Sequence, residues 1–445
     1  MKRADEHFGE DAILFDPIYK PGKGFYVALS VFLAVAGFAV YLYIRQYFLG
    51  LGVTGLNRPV FWSFYIVNFV FFIGISHAGT LISAILRLSK AEWRRPITRV
   101  AEIITVVVLL IGALHPIIDM GRPDRALNVF LYGRYQSPLL WDLTAITTYL
   151  MASTVYLYLP MIPDIAMMRD KGTKFKWLYT ILSWGYEGTP AQRHVIEKGM
   201  TIMMVMVVPI AVSVHTVISY LFAMTVQPMW HSTIFAPYFV VGAIFSGTAV
   251  LLVVMVVLRK IYHLETYLKE IHFKHLGTIL LVMSLLWGYF TFSEYLTTYY
   301  PQEPHEMKVF WYKFIGPYAV FFWGMVATNL VIPVLLLSFK KDIKGIFIAS
   351  ICVSIGMWLE RLNIIVPSLV STRLPYPTGF YVPTLTEVGI FLGGIALFCL
   401  GYLLFAKLFP LITVWEIQEG REHGIKEVND RIRSYLPDKK TEDLI

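Results

Sequence analysis

Apolar stretches of membrane length, separated by short polar ones, run through almost the whole chain. A helix needs about 20 apolar residues to cross the roughly 30 Å hydrocarbon core of a bilayer. On that basis the pattern predicts spans near residues 25–45, 60–87, 99–120, 138–160, 198–225, 235–259, 276–299, 313–339, 344–361 and 385–408. The ninth span is short. The stretch after it, Asn363 to Ser371, stays apolar and is expected to form a re-entrant or surface segment. Spans 2 to 5 and spans 6 to 9 start on the same side, each after an outer Pro-aromatic stretch (Pro59-Val60-Phe61-Trp62; Pro237-Tyr238-Phe239), and each first exits at a basic residue, Arg87 or Arg259. A parallel four-helix repeat and mere shared punctuation both fit that likeness.

Composition agrees with a membrane chain. Of 445 residues, 57% are hydrophobic and 15% charged, against about 25% charged in an average soluble domain. Lys and Arg number 29 in the N-terminus, the loops on its side and the C-tail, and 9 in the opposite loops. By the positive-inside tendency both termini face the cytoplasm. The net charge of +8 then reflects topology, and nucleic acid is not an expected partner. The polar N-terminal segment has no signal-peptide pattern. Cys352 and Cys399 lie singly in apolar runs, so no metal or haem is expected in this chain, and any iron–sulfur cluster would belong to a partner. The C-tail, with Glu416, Glu419, Arg421, Glu422, Lys426, Arg431 and Arg433, reads as a solvated helix and a loose end without chemistry.

Ionisable residues inside spans are costly, and function is sought there. His115, Asp119 and Arg122 fall at i, i+4 and i+7, placing them on one helical face at the outer end of span 3. Trp141-Asp142 opens span 4 and returns a second carboxylate to that depth. A quinol needs partners at both ring oxygens, an acceptor for two protons and an apolar channel for its tail, and carboxylates or His with aromatic walls meet these needs. A structural Asp119–Arg122 link capping span 3 is the alternative. His77 sits deep in span 2 among small residues, where an imidazole relays protons or is simply a satisfied core group. Glu102 feeds it from the cytoplasm or snorkels to the interface. Counted from the outer boundary, His115, His215 and His77 are predicted about 7, 15 and 25 Å deep, a mismatch that argues against haem ligation. Glu294, near the outer end of span 7, is either a second proton site or an interfacial carboxylate, and Glu360 and Glu387 flank the 9–10 loop. No phosphate loop, nucleophile elbow or zinc motif is present.

Gly74-Ile75-Ser76-His77-Ala78-Gly79-Thr80, Gly121-Arg122-Pro123, Ser137-Pro138-Leu139-Leu140-Trp141-Asp142, Trp230-His231-Ser232-Thr233-Ile234-Phe235-Ala236-Pro237-Tyr238-Phe239 and Phe292-Ser293-Glu294-Tyr295 resemble the NrfD/PsrC family of quinone-interacting membrane subunits. Within it they are most similar to the ActC subunit of alternative complex III. The resemblance implies an all-α integral membrane protein, two four-helix bundles flanked by single helices, and a quinol site in the first bundle near the periplasmic face. The chain then divides into a cytoplasmic segment 1–24, a first helix and outer loop 25–59, bundles at 60–225 and 235–361, an outer loop and last helix 362–408, and a cytoplasmic tail 409–445. Asp142 matches the family carboxylate after Trp, and Arg122 the Gly-Arg-Pro arginine. Asp119 stands where ActC carries a histidine, Leu221 where it carries an acid, and Trp184-Gly185-Tyr186-Glu187-Gly188 departs from its 4–5 loop.

The resulting expectation is a bacterial or archaeal cytoplasmic-membrane subunit of a respiratory complex, binding menaquinone or ubiquinone. It exchanges electrons with a periplasmic iron–sulfur partner, itself joined to a molybdopterin or multihaem protein, with a paralogous membrane subunit as a further partner. Asp119, Asp142 and His115 exchange the protons, Arg122 and Trp141 contact the quinol, and His77, Glu102, His215 and Glu294 form proton paths. Ion transport without redox chemistry and a purely anchoring role are the alternatives.

Overall fold

A computed structural model describes residues 11–19, 21–171, 175–371, 373 and 379–422. Among them there are helices and no strand. Ten helices are long and apolar enough to cross a membrane: α1 (Lys23–Leu49), α2 (Phe64–Leu88), α3 (Thr98–Asp119), α4 (Pro138–Asp170), α5 (Pro190–Ala223), α6 (Phe235–Ile261), α7 (Glu270–Tyr299), α8 (Ala319–Phe339), α9 (Ile343–Val370) and α10 (Leu385–Leu408). The protein is a multi-pass integral membrane protein.

Several boundaries differ from the expected ones for identifiable reasons. The ninth span does not stop at residue 361; α9 is a single helix of 28 residues. Glu360, Arg361 and Asn363, around the expected end of the span, are buried, and Asn363 to Val370 continues the helix and forms no separate re-entrant or surface segment. The eighth span begins at Ala319, because Gly316 and Pro317 separate it from a surface helix, Pro304–Phe314. Inside α8 a π-turn covers Ala327–Val331. Pro333 has no N–H to give the carbonyl of Asn329 four residues back, and the Ser284 hydroxyl on α7 donates to that carbonyl instead at 2.6 Å. A 3₁₀ turn containing Pro160 interrupts α4.

Helix neighbours follow two circuits. In one, α2 packs on α3, α3 on α4, α4 on α5 and α5 on α2; in the other, α6 packs on α7, α7 on α8, α8 on α9 and α9 on α6. The circuits meet where α6 lies against α2 and α5, and α9 against α2. α1 and α10 pair with each other beside α2 and α3. Small residues permit the closest approaches. A Cβ on Gly79 would lie 2.0 Å from the Ala101 carbonyl oxygen, so α2 and α3 touch backbone to backbone there.

The C-terminal segment is docked, contrary to the solvated tail expected. Residues 414–422 are helical. Glu416 is buried and ion-paired to Arg87 at 2.7 Å and Arg94 at 2.9 Å. Burial pushes its carboxyl up, but these guanidiniums outweigh that and hold it below the ordinary glutamate range. Arg99 donates to Asp164 at 2.6 Å, and Asp164 accepts the Val414 and Trp415 amides at 3.1 Å each. Arg421 reaches Asp11 at 2.9 Å, so the described parts of both terminal segments share one face. Residues 1–10, Lys426, Arg431 and Arg433 lie outside the described residues.

Candidate functional site

At the membrane face opposite the chain termini, α3 ends at Asp119 and α4 starts at Pro138. His115 and Asp119 are one turn apart on α3, and Asp142 lies in the second turn of α4, the helix packed beside it. His115 is 2% exposed and Asp142 7%. The His115 Nδ1 bonds the Ile111 carbonyl at 2.9 Å, so its Nε2 is the outward nitrogen. Among the described residues, His115 Nε2, Asp119 Oδ1 and Asp142 Oδ1 are buried with no protein hydrogen-bond partner. Buried polar groups are nearly always satisfied. Atoms without a hydrogen-bond partner also occur elsewhere among the described residues, at His215, Glu294 and Glu360 for example, and what sets these three apart is their place at the ends of α3 and α4.

Aromatic rings wall this region. Phe72 lies 5.2 Å from the His115 ring, with Phe391 and then Trp358 beyond it. Behind Asp119, Gln46 donates to the Ile118 carbonyl at 3.0 Å, and the Tyr65 hydroxyl donates to Gln46 at 2.5 Å. Glu387, fully buried, accepts from Gly55, Tyr381 and the Thr384 amide at 2.7–2.8 Å. That network fixes the outer ends of α1, α2, α3 and α10 around the acid.

Two expectations fail here. Arg122 does not share the helical face of His115 and Asp119. The helix ends at Asp119, Gly121 turns the chain at φ +68°, and the Arg122 side chain, 62% exposed, pairs with Asp124 at 3.1 Å. The Asp119–Arg122 cap is therefore not formed either. Trp141 is half-buried, and its indole N–H is given to the Tyr135 carbonyl.

A second constellation occupies the middle of α2–α5. The depth mismatch expected between His77 and His215 does not exist. Their rings are 3.8 Å apart, and His215 Nδ1 lies 2.9 Å from His77 Nε2. Counting from predicted boundaries ignored that α5 has 34 residues, about 51 Å of helix, and need not register with α2 from its outer end. His77 Nδ1 faces the Ile73 carbonyl at 2.9 Å, and Nε2 also faces the Ala211 carbonyl at 2.8 Å. A neutral His77 gives its proton to one carbonyl and accepts from His215 on the other nitrogen. A protonated His77 gives to both carbonyls. The geometry thus accommodates both protonation states.

Below His77 on the same face of α2 come Thr80, Ser83 and Arg87. Thr80 bonds the Tyr149 hydroxyl, and Tyr149 also donates to the Ser76 carbonyl at 3.2 Å. Ser83 donates to Glu102 at 2.6 Å and contacts the Tyr156 hydroxyl at 3.1 Å. Arg87 lies 3.9 Å from Glu102 and 2.7 Å from Glu416. Glu102 is 1% exposed, so it does not snorkel. A ladder of protonatable and hydroxyl groups therefore runs from the histidine pair to the terminus-bearing face. Thr80, Ser83, Tyr149 and Tyr156 are not among the site residues expected from sequence, and Arg87 is read there only as the exit of span 2, although a polar stripe at 77, 80, 83 and 87 lies on one helix face.

Glu294 stands apart, in α7. It lines a cavity of about 10 Å³, room for one water, with Tyr238, Lys313, Glu360 and Asn363. Lys313, on the surface helix, is 3% exposed. Burial pulls its ammonium down to about 8, and Glu294 and Glu306 oppose that. Further in, Glu360 accepts from the Trp287 indole at 2.8 Å and forms a 2.8 Å ion pair with Arg361. The Arg361 guanidinium rests 4.9 Å over the Phe239 ring. A Cβ on Gly242 would lie 2.9 Å from it.

A family model described as "Polysulphide reductase, NrfD" matches residues 52–372, from the loop before α2 through the whole of α9. The chain belongs to the NrfD family. The likeness to ActC in particular rests on the sequence motifs alone. The chain is 26% identical to a putative dimethyl sulfoxide reductase membrane subunit of Halobacterium salinarum, covering 88% of this chain and 92% of that one. A selenate reductase subunit of Mesobacillus selenatarsenatis is 25% identical over 88% of this chain and 95% of its own. The "Hdr-like menaquinol oxidoreductase integral membrane subunit" of Archaeoglobus fulgidus is 23% identical over 92% and 99%. In this NrfD chain the matched segment contains His77, Glu102, His115, Asp119, Arg122, Trp141, Asp142, His215 and Glu294.

Proposed function

We propose that this NrfD chain is the quinol-binding membrane subunit of a respiratory reductase or menaquinol oxidoreductase complex, working beside His115, Asp119 and Asp142. The observation that carries this is the trio of buried polar atoms without protein partners at one end of α3–α4, faced by aromatic rings. A quinone ring supplies what they lack, hydrogen-bonding groups on opposite edges and a flat apolar face. Oxidation of a quinol releases two electrons and two protons. The carboxylates accept protons, and the electrons leave to an iron–sulfur cluster on a partner at that face; quinone reduction is the reverse. Trp141 borders the site, and Arg122 lies at its exposed edge. The relatives' names, with reductases and a menaquinol oxidoreductase among them, support the same reading.

In this reading the two helix circuits are two four-helix bundles, at 60–225 and 235–361, with α1 and α10 flanking the first. Both termini are cytoplasmic, as the charge distribution favours, and the orphaned acids face the periplasm. The ladder of His215, His77, Tyr149, Thr80, Ser83 and Glu102 is an inner proton path. Glu294 serves a separate site in the second bundle.

The test is Asp142→Asn in the intact complex. Quinol turnover should fall by about 10²-fold or more, the scale of a positioned acid–base group, while extracted quinone stays at wild-type content. Unchanged turnover would sink the assignment and favour an anchoring role. Ion flux through the isolated chain in liposomes would favour the transport reading.

A further inference from the structure

A cavity of about 810 Å³ lies at the terminus-bearing end of the membrane-spanning region, among α1, α6 and α10. It belongs to neither constellation above. α1 packs along α10, and neither forms a principal packing pair with α6, so a wedge remains between them. The short helix Ala12–Tyr19 floors it through Ile13, Asp16 and Pro17. Lys407 fastens that floor by donating to the Ile18 carbonyl at 2.6 Å and the Pro17 carbonyl at 3.3 Å.

The walls are apolar for a limited depth. They run from Phe25 to Phe32 on α1, Val253 to Ile261 on α6 and Phe398 to Ala406 on α10. Eight or nine residues of helix rise about 10–12 Å from the first to the last, within one leaflet of a roughly 30 Å core. Apart from the Cys399 thiol and the Tyr402 hydroxyl, which donates to the Val100 carbonyl, the polar groups of the described lining sit at the terminus-bearing edge of the wedge. α1 starts there with Gly22 as N-cap and no side-chain cap, the Phe25 N–H being bonded to the Gly22 carbonyl at 3.1 Å, so the positive end of the helix dipole lies at the opening. No atom lies within 4 Å of where a Cβ on Gly22 or Gly24 would be, leaving that backbone open to approach. Lys407, already bonded to the floor carbonyls, brings an ammonium group to this edge, His263 adds a ring nitrogen, and Asp16 is the carboxylate among the described lining residues.

We propose that this wedge binds one diacyl phospholipid, its acyl chains between α1, α6 and α10 and its phosphate at the α1 N-terminus and Lys407. A quinone fits less well, because its ring needs partners on two opposite edges, and away from the polar end the described lining offers only the weak Cys399 thiol, the Tyr402 hydroxyl being bonded to the Val100 carbonyl. The volume lies within the roughly 300–1,000 Å³ range of binding pockets.

The experiment uses the intact complex in nanodiscs containing a phospholipid with a photoactivatable group in its acyl chain, followed by peptide mapping of adducts. Adducts on the 25–32, 253–261 and 398–406 segments should exceed those on an ordinary lipid-facing surface such as Val282 to Leu286 of α7 by about tenfold, the equivalent of about 1.4 kcal/mol. Filling the wedge with Ala28→Trp and Val257→Trp together should remove that excess and the co-purifying phospholipid, leaving quinone content unchanged. Equal labelling of the wedge and of α7 overturns the proposal. So does loss of quinone instead of phospholipid in the filled variant, which would make the wedge a quinone pocket. If the double variant does not assemble, the wild-type adduct map decides alone.

Discussion

At mid-membrane in α2–α5 a row of imidazoles and hydroxyls runs from His77 towards Glu102, and the buried ion pairs, Arg87 with Glu416 and Arg99 with Asp164, sit at its terminus-bearing end. In α6–α9, by contrast, the opposite charges Glu360 and Arg361 lie face to face within the spans. His77 touches a carbonyl with each ring nitrogen and His215 with one of them, so a proton is accommodated in more than one place. Glu360 is clamped by Trp287 and Arg361, with Arg361 enclosed by Phe239 and Gly242. A proton added to Glu360 would leave a buried guanidinium without its counter-ion. Similar helix circuits therefore host a set of groups suited to exchanging protons and another suited to keeping its charges fixed.

The largest effect expected from breaking this contrast is on activity. Replacing both outer acids, Asp119→Asn with Asp142→Asn, should lower quinol turnover of the complex by about 10³-fold or more. The corresponding change in the other half, Glu360→Gln, should leave turnover within about threefold, because its carboxylate takes no proton in the reaction. Its cost is in folding. A buried pair that loses one partner costs about 3–5 kcal/mol, read as a lower melting temperature of the complex in detergent. Full stability with lost turnover in Glu360→Gln would reverse the roles assigned to the halves.

His77→Gln keeps hydrogen-bonding capacity but cannot hold a second proton. Proton uptake from the terminus-bearing side should slow by about 10²-fold, with quinone binding unchanged. Wild-type uptake in vesicles would remove the ladder from the mechanism. A smaller effect is expected at Lys313. Its folded value, about 8, lies below the ordinary 10.5, so between those pH values the unfolded chain binds the extra proton and stability rises with pH. Lys313→Met removes that term. The melting-temperature advantage of the variant should therefore shrink as pH rises from 8 towards 10.5, and a constant difference would mean that Lys313 does not lose its proton there.

Much of this was legible in the sequence. Ten apolar windows gave the ten spanning helices, and the small residues around His77 signalled a close helix approach, which the structure places at Gly79 against α3. What failed concerned partners distant in the chain. Asn363 to Ser371 looked like a separate segment because Glu360 and Arg361 read as a membrane edge; Trp287 lies 73 residues from Glu360. His77 and His215 are 138 residues apart, and depth counted along each helix could not bring them together. Glu416 looked solvated because Arg87 and Arg94, which bury it, lie at the far end of the sequence. Arg122 was misplaced for a local reason, the helix end at Asp119 and the left-handed turn at Gly121.

Infrared difference spectra of the intact complex, recorded between quinol-reduced and oxidised states, test most directly whether the first half alone exchanges protons. A carboxyl band that appears on quinol oxidation should lose its Asp142 component in Asp142→Asn and persist unchanged in Glu360→Gln. A band unchanged in Asp142→Asn, or lost in Glu360→Gln, would contradict that division.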